Sequence, residues 1–417
     1  MFRLSLAHVA LLLSLSASSY GSEAARGVSA APPTSGPKVE SEQGYLTPYS
    51  ETIPGTEITF EMLPVPGGVA KLNVAADGSD PVYCDVQLPP FWVGRCEVTW
   101  SEFHCYMKLD KAYTQLAQFR SMPQRDGAPE ALQGRFPNLI SILRPITKAE
   151  GSLLAVDAVT APTPLYDPSS TYESGEDPEL PAVTMSPFGA RQYTKWLSAI
   201  TGVDYRLPSE AEWRHATLAG RSAEGPIDRD ELDAIAWHTE NSDWIAHKVG
   251  EKEPNAWGLH DTLGNVAELV LDAHSPEGRA ELAGKQLSWD EAINWPTKNS
   301  MRIAMGGWWD AEPEEINANE RLVTEEDEWK LSDPNLPRSP WWYADYPATG
   351  VGFRIVRSLR PVPDDLKARV WDTSDQSVTD AVDERLREGR GKMGLIGPDL
   401  PKALGELADP EVKKLLN

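Results

Sequence analysis

The chain has 417 residues, enough for two or three domains, and 41% of them are hydrophobic, which suffices for a sizeable core. Thirty-nine basic residues against 63 acidic ones give a net charge of −24. That field repels phosphate backbones and anionic lipid heads, so no nucleic acid is expected as a partner, and a bound cation is favoured. Thirty-five prolines and 31 glycines point to a loop-rich fold rather than a helical bundle, and 15 tryptophans are many for this length.

In chain order, residues 1–22 read as a signal peptide. Arg3 precedes an apolar run from Leu4 to Leu15, and small residues follow. The run is too short to span a bilayer, and no later run of about 20 apolar residues exists. The expectation is an exported protein (periplasmic, cell-surface or secreted) with no integral membrane segment in the mature chain. Residues 23–55, rich in Ser, Pro and Gly, read as a disordered linker. Ile58, Phe60 and Met62 alternate as a half-buried strand, and Phe91-Trp92-Val93 forms another. Ser101 is expected to cap the helix that carries Phe103 and Tyr106. Cys84, Cys96 and Cys105 are the three cysteines, and the sequence leaves a disulfide or three buried thiols equally open.

Residues 122–179 read as a loop-rich insertion. Ser186-Pro187 then opens a helix whose Tyr193, Trp196, Leu197 and Ile200 share a buried face, with Gly202 ending it. Ser209-Glu210-Ala211-Glu212 is a capping box. Arg206 and Glu212 flank apolar Leu207 and Trp213, so the two charges are expected to be paired. Asp310–Asp345 holds eleven acidic and three basic residues. Residues 361–417 read as a peripheral helical extension.

Seven segments, in this order, resemble the formylglycine-generating enzyme, or sulfatase-modifying factor, family. They are Phe91-Trp92-Val93-Gly94-Arg95-Cys96-Glu97-Val98-Thr99; Pro181-Ala182-Val183-Thr184-Met185-Ser186; Tyr205-Arg206-Leu207-Pro208-Ser209-Glu210-Ala211-Glu212-Trp213; Pro254-Asn255-Ala256-Trp257-Gly258-Leu259-His260-Asp261; Gly264-Asn265-Val266-Ala267-Glu268; Gly306-Gly307-Trp308-Trp309; and Gly350-Val351-Gly352-Phe353-Arg354. The resemblance covers residues 56–360. It implies an α+β, loop-rich, C-type-lectin-like formylglycine-generating-enzyme fold.

The resemblance also implies a copper-dependent oxidase that converts a sulfatase cysteine to formylglycine. The family's two copper-binding cysteines would fall between Trp308 and Gly352, and that interval contains none. Soft copper(I) wants thiolates, so copper is not expected, and no catalytic residue is assigned. The related iron-dependent branch is not favoured either, because the histidines are scattered without an iron-site pattern. Calcium remains. The resemblance implies a structural ion held by Glu268 with the backbone of Gly264 and Val266, and Asn241 matches half of a second site. Trp308, Trp309, Trp341 and Trp342 bracket the acidic interval as candidates for lining a sugar or peptide groove. The leading function is a calcium-stabilised scaffold that binds a protein or glycan. The alternative is a formylglycine-generating oxidase acting on sulfatase cysteines.

Overall fold

Phe91–Gly94 is buried at all four positions, as a strand enclosed on both faces should be. In the computed structural model it is the central strand of a five-stranded sheet. The order across that sheet is Tyr205–Arg206, Val356–Ser358, Phe91–Gly94, Thr59–Val65 and Tyr49–Thr52. The structure describes residues 26–34, 38–121, 132–146, 157–164, 174–221, 227–297, 300–325, 327–373 and 375–416.

A second sheet runs Arg321–Val323, Arg302–Met305, Ala267–Ala273, Val351–Gly352. Its strand Ala267–Ala273 is buried along its whole length and runs antiparallel to Arg302–Met305 and parallel to Val351–Gly352. Among the described residues, three smaller sheets complete a mixed α+β fold with much irregular chain. The helix Pro187–Thr201 packs against both large sheets. Ser186 caps it by accepting from the Gly189 amide, Pro187 occupies its first turn, and Gly202 ends it in the left-handed region. Its four expected core residues are all buried.

Arg206 and Glu212 form a buried bidentate pair at 2.7 Å on each arm, and Glu212 also closes the capping box with Ser209. At Gly306 the backbone has φ +97°, and an added Cβ would lie 2.8 Å from the Thr262 carbonyl and 2.9 Å from the Trp213 ring. The glycine at this position therefore admits a close approach of the backbone that a side chain would block.

Four sequence expectations change. Within the linker assigned to residues 23–55, Val28–Ser29, Val39–Ser41 and Gly44–Leu46 form a sheet, and Tyr49–Thr52 joins the central one. Val39, Leu46 and Ile53 supply the apolar anchors there; they are too sparse to register as periodicity. The helix Trp100–Met107 is capped by Thr99 with Glu102 rather than by Ser101. Parts of the 122–179 insertion are ordered, as the helix Pro137–Leu143 and the strand Ala158–Ala161; residues 122–131, 147–156 and 165–173 lie outside the described residues. The C-terminal extension is not peripheral. Lys392–Leu395 pairs antiparallel with Ala158–Ala161, and Leu400, Ala403, Leu407 and Val412 enter the main core. The signal-peptide residues 1–22 lie outside the described residues.

Candidate functional site

The strand Ala267–Ala273 carries Glu268 into the space between the two large sheets, and the chain after Val351–Gly352 brings Arg354 to meet it. Both side chains are 1% exposed. The Arg354 guanidinium donates from Nε to Glu268 Oε2 at 2.5 Å and from Nη2 to Glu268 Oε1. Its remaining donors reach the Gly94 carbonyl at 3.0 Å and the His260 carbonyl at 2.9 Å. Trp213 Nε1 donates to Glu268 Oε2 at 2.7 Å. Burial alone would lower the Arg354 pKa, but the Glu268 carboxylate outweighs it and the net shift is upward.

Two more buried acids share this guanidinium. Glu97 is 2% exposed. It accepts from Asn265 Nδ2 at 3.0 Å and from the Val266 amide at 3.2 Å. Burial, then the charges of Asp261 and Glu268, raise its pKa well above the carboxylate range. Asp261, at φ +51°, accepts from the Gly250 amide at 2.6 Å through Oδ2, while its buried Oδ1 has no partner. Its pKa is raised too, burial first. Three carboxylates facing one guanidinium leave negative charge in excess, which protons or a bound cation would balance.

Beside this centre opens a cleft of about 380 Å³. Glu61, Arg95, Cys96, Glu97, Glu102, Glu179 and the backbone of Gly94 and Gly250 line it. Burial, and then the negative Asp261, push the Cys96 thiol up to about 12, so it is a neutral thiol at physiological pH. Burial pushes Glu102 up to about 7. Cys84 and Cys105 are buried, burial raises both thiols, and all three cysteines are free.

The residues expected from the sequence fall into two groups. Glu268 and Val266 do lie at the ionic centre, whereas Gly264 packs on the Trp237 backbone and donates to the Gly306 carbonyl at 3.0 Å; both oxygens of Glu268 are taken by Arg354 and Trp213. A calcium ion there would have to displace a guanidinium, so Glu268 does not fit as its ligand. Asn241 is consumed in its own turn, accepting from the His238 amide at 2.9 Å and donating to the Ala236 carbonyl at 3.0 Å. The carboxylates that better suit a hard cation are Asp261, with its orphaned Oδ1, and Glu97, whose oxygens are held by neutral amide donors rather than by a guanidinium. The sequence reading missed both roles. Each sits inside a quoted motif, yet nothing in one sequence says which of 63 acids is buried. Among the described residues, no cluster of three His, Cys, Asp or Glu side chains is arranged to hold a metal by itself.

The four tryptophans are core, not groove. Trp308, Trp309, Trp341 and Trp342 are all buried. Trp341 Nε1 donates to Thr160 Oγ1 at 2.8 Å and Trp342 Nε1 to the Thr163 carbonyl at 2.7 Å, so the chain around the strand Ala158–Ala161 covers them. Trp308 stands over Gly350, where an added Cβ would fall 1.6 Å from its ring.

Residues 55–359 match the profile of the sulfatase-modifying factor enzyme 1-like domain. The chain belongs to the sulfatase-modifying factor family. Among curated proteins it is 25% identical over 245 residues to the formylglycine-generating enzyme of Streptomyces coelicolor, covering 52% of this chain and 70% of that one. It is 27% identical over 124 residues to the chaperone protein LppX of Paenibacillus barcinonensis, which is 25% of this chain and 38% of LppX. Among solved structures, PvdO from Pseudomonas aeruginosa is 23% identical, with a TM-score of 0.45 over 74% of this chain and all of PvdO. As a family member the chain has an α+β, loop-rich domain. The span in which the sulfatase-modifying factor resemblance placed copper thiolates is occupied here by buried tryptophans and exposed carboxylates. No helix among the described residues is long and apolar enough to cross a membrane.

Proposed function

We propose that this family member is an exported binding scaffold that does not oxidise sulfatase cysteines through copper. The observation that carries this reading is the thiol inventory. No cysteine occurs after Cys105. Cys96 lines the cleft beside Glu97 with no second cysteine in its lining, so that cleft does not supply the pair of thiolates that copper(I) prefers. The partial likeness to a protein named as a chaperone supports a polypeptide rather than a glycan as the partner. The apolar Leu4–Leu15 run supports export. The likeness to a formylglycine-generating enzyme favours the alternative, an oxidase, and an assay separates the two. Purified protein incubated with a cysteine-containing sulfatase peptide, oxygen and copper(I) should leave the peptide mass unchanged. Copper-dependent formation of formylglycine, seen by mass spectrometry, overturns the scaffold reading.

Calcium belongs to the same proposal, with Glu97 and Asp261 as its carboxylate ligands in place of Glu268. A divalent cation would offset the excess negative charge around Arg354 and so stabilise the junction of the two sheets. At about 100 times its dissociation constant the ion is worth about 2.7 kcal/mol. Chelation should therefore lower the melting temperature of the wild type. Glu97→Gln should melt at the same temperature with and without calcium. Identical wild-type curves in calcium and in chelator would leave the cluster balanced by protons instead.

A further inference from the structure

We propose that the turn Trp308–Ala311, flanked by the exposed rings of Trp244 and Tyr346, is a docking surface for an arginine- or lysine-bearing polypeptide segment. This deepens the scaffold reading and rests on it. Trp244 is 62% exposed and Tyr346 is 60% exposed, in a chain that otherwise buries or half-buries its tryptophans. The two are tied to one turn. The Ser242 hydroxyl donates to the Trp309 carbonyl at 2.8 Å and accepts from the Trp244 amide at 3.1 Å. The Tyr346 ring packs on Trp308 with centroids 5.1 Å apart, and its hydroxyl donates to Asp310 Oδ2 at 2.7 Å. The Ala311 amide closes the turn on the Trp308 carbonyl at 3.0 Å.

Exposing a tryptophan this way costs free energy twice. Its apolar surface meets water, and its backbone sits at φ +66° directly after Asp243 at φ +54°. Bulky residues rarely adopt that left-handed region unless the surroundings enforce it, and such outliers cluster at working surfaces. The turn also holds a buried indole N–H without an acceptor, Trp309 Nε1.

The charge around the turn selects the partner. Asp243, Glu312, Glu314 and Glu315 are exposed beside it, and Asp310 is half-buried within it. Among the described residues none of these five carboxylates has an ion-pair partner. An aromatic face attracts a cation through its negative quadrupole, and unpaired carboxylates supply the Coulomb term. The protein already uses the same pairing internally: the Lys252 ammonium lies 4.0 Å from the centre of the Trp237 ring. A neutral sugar would gain from the aromatic rings but not from the charges, so a cationic peptide is the better fit.

The probes are a short labelled peptide of alternating arginine and glycine, its glutamate counterpart, and a neutral chitin oligosaccharide. Fluorescence anisotropy of the full-length protein should show the arginine peptide bound, with affinity falling about tenfold as salt rises through the physiological range. Trp244→Leu combined with Tyr346→Leu keeps apolar bulk but removes both π faces, and should weaken binding about tenfold. Asp243→Asn with Asp310→Asn should flatten the salt dependence. The melting temperature of each variant verifies that the fold is kept. Equal binding by the leucine variant, preference for the acidic peptide or the sugar, or no binding of the arginine peptide each overturns the proposal. Those outcomes leave the copper assay unchanged, so failure of the surface and failure of the scaffold reading are distinguishable.

Discussion

Arg354→Met should destabilise the protein by about 3–5 kcal/mol, read as a fall in the urea midpoint at an unchanged slope. The substitution keeps length and apolar bulk but leaves Glu268, Glu97 and Asp261 without the guanidinium that offsets their charge. It also strips donors from the Gly94 and His260 carbonyls, both bound by the same guanidinium. Adding Glu268→Gln should return part of the loss, because the amide oxygen still accepts from Trp213 while one buried charge is gone. If the single variant loses less than about 1 kcal/mol, the centre is solvated or otherwise compensated, and its description as a buried ion pair is wrong.

Trp341→Ala should cost about 3–5 kcal/mol through the cavity it leaves. The indole is fully buried, its N–H is bonded to Thr160 Oγ1, and its ring sits where any side chain at Gly391 would clash, at 2.7 Å. The variant should bind the arginine peptide as the wild type does once temperature is lowered enough to keep it folded. A variant that melts normally but loses peptide binding would restore Trp341 to the groove role expected from sequence.

A tryptophan next to an acidic run looks the same whether it lines a groove or fills a core. What decides is a covering layer contributed by Thr160 and Thr163, from a stretch too weak in pattern to read as structure. The same applies to the carboxylates. Glu268 was found because a motif marked it, but its partner Arg354 lies far along the chain, and only the fold brings them together. Local signals, by contrast, were legible. Ser186, Pro187 and Gly202 bound one helix, and Ser209 with Glu212 starts another, because capping is settled within a few residues. Trp244 carried no signal at all. A left-handed tryptophan is a property of its loop, and the sequence offers no glycine there to announce the turn.

The pairing of Lys392–Leu395 with Ala158–Ala161 bears on how such a chain acquires its shape. The Tyr113 hydroxyl bonds the Leu395 carbonyl across 282 positions, and the Pro137–Leu143 helix packs against Leu400–Leu407. A nascent polypeptide that has produced everything up to residue 390 still has an unsealed apolar face and an unpaired strand edge at its middle. Contacts this distant carry a heavy loop-closure entropy and form late. Exposed apolar surface and an unpaired strand edge are the features that make such an intermediate prone to aggregate. Loss of the segment 392–407 would reopen the same face, so damage there would be felt at the strand Ala158–Ala161 and the helix Pro137–Leu143.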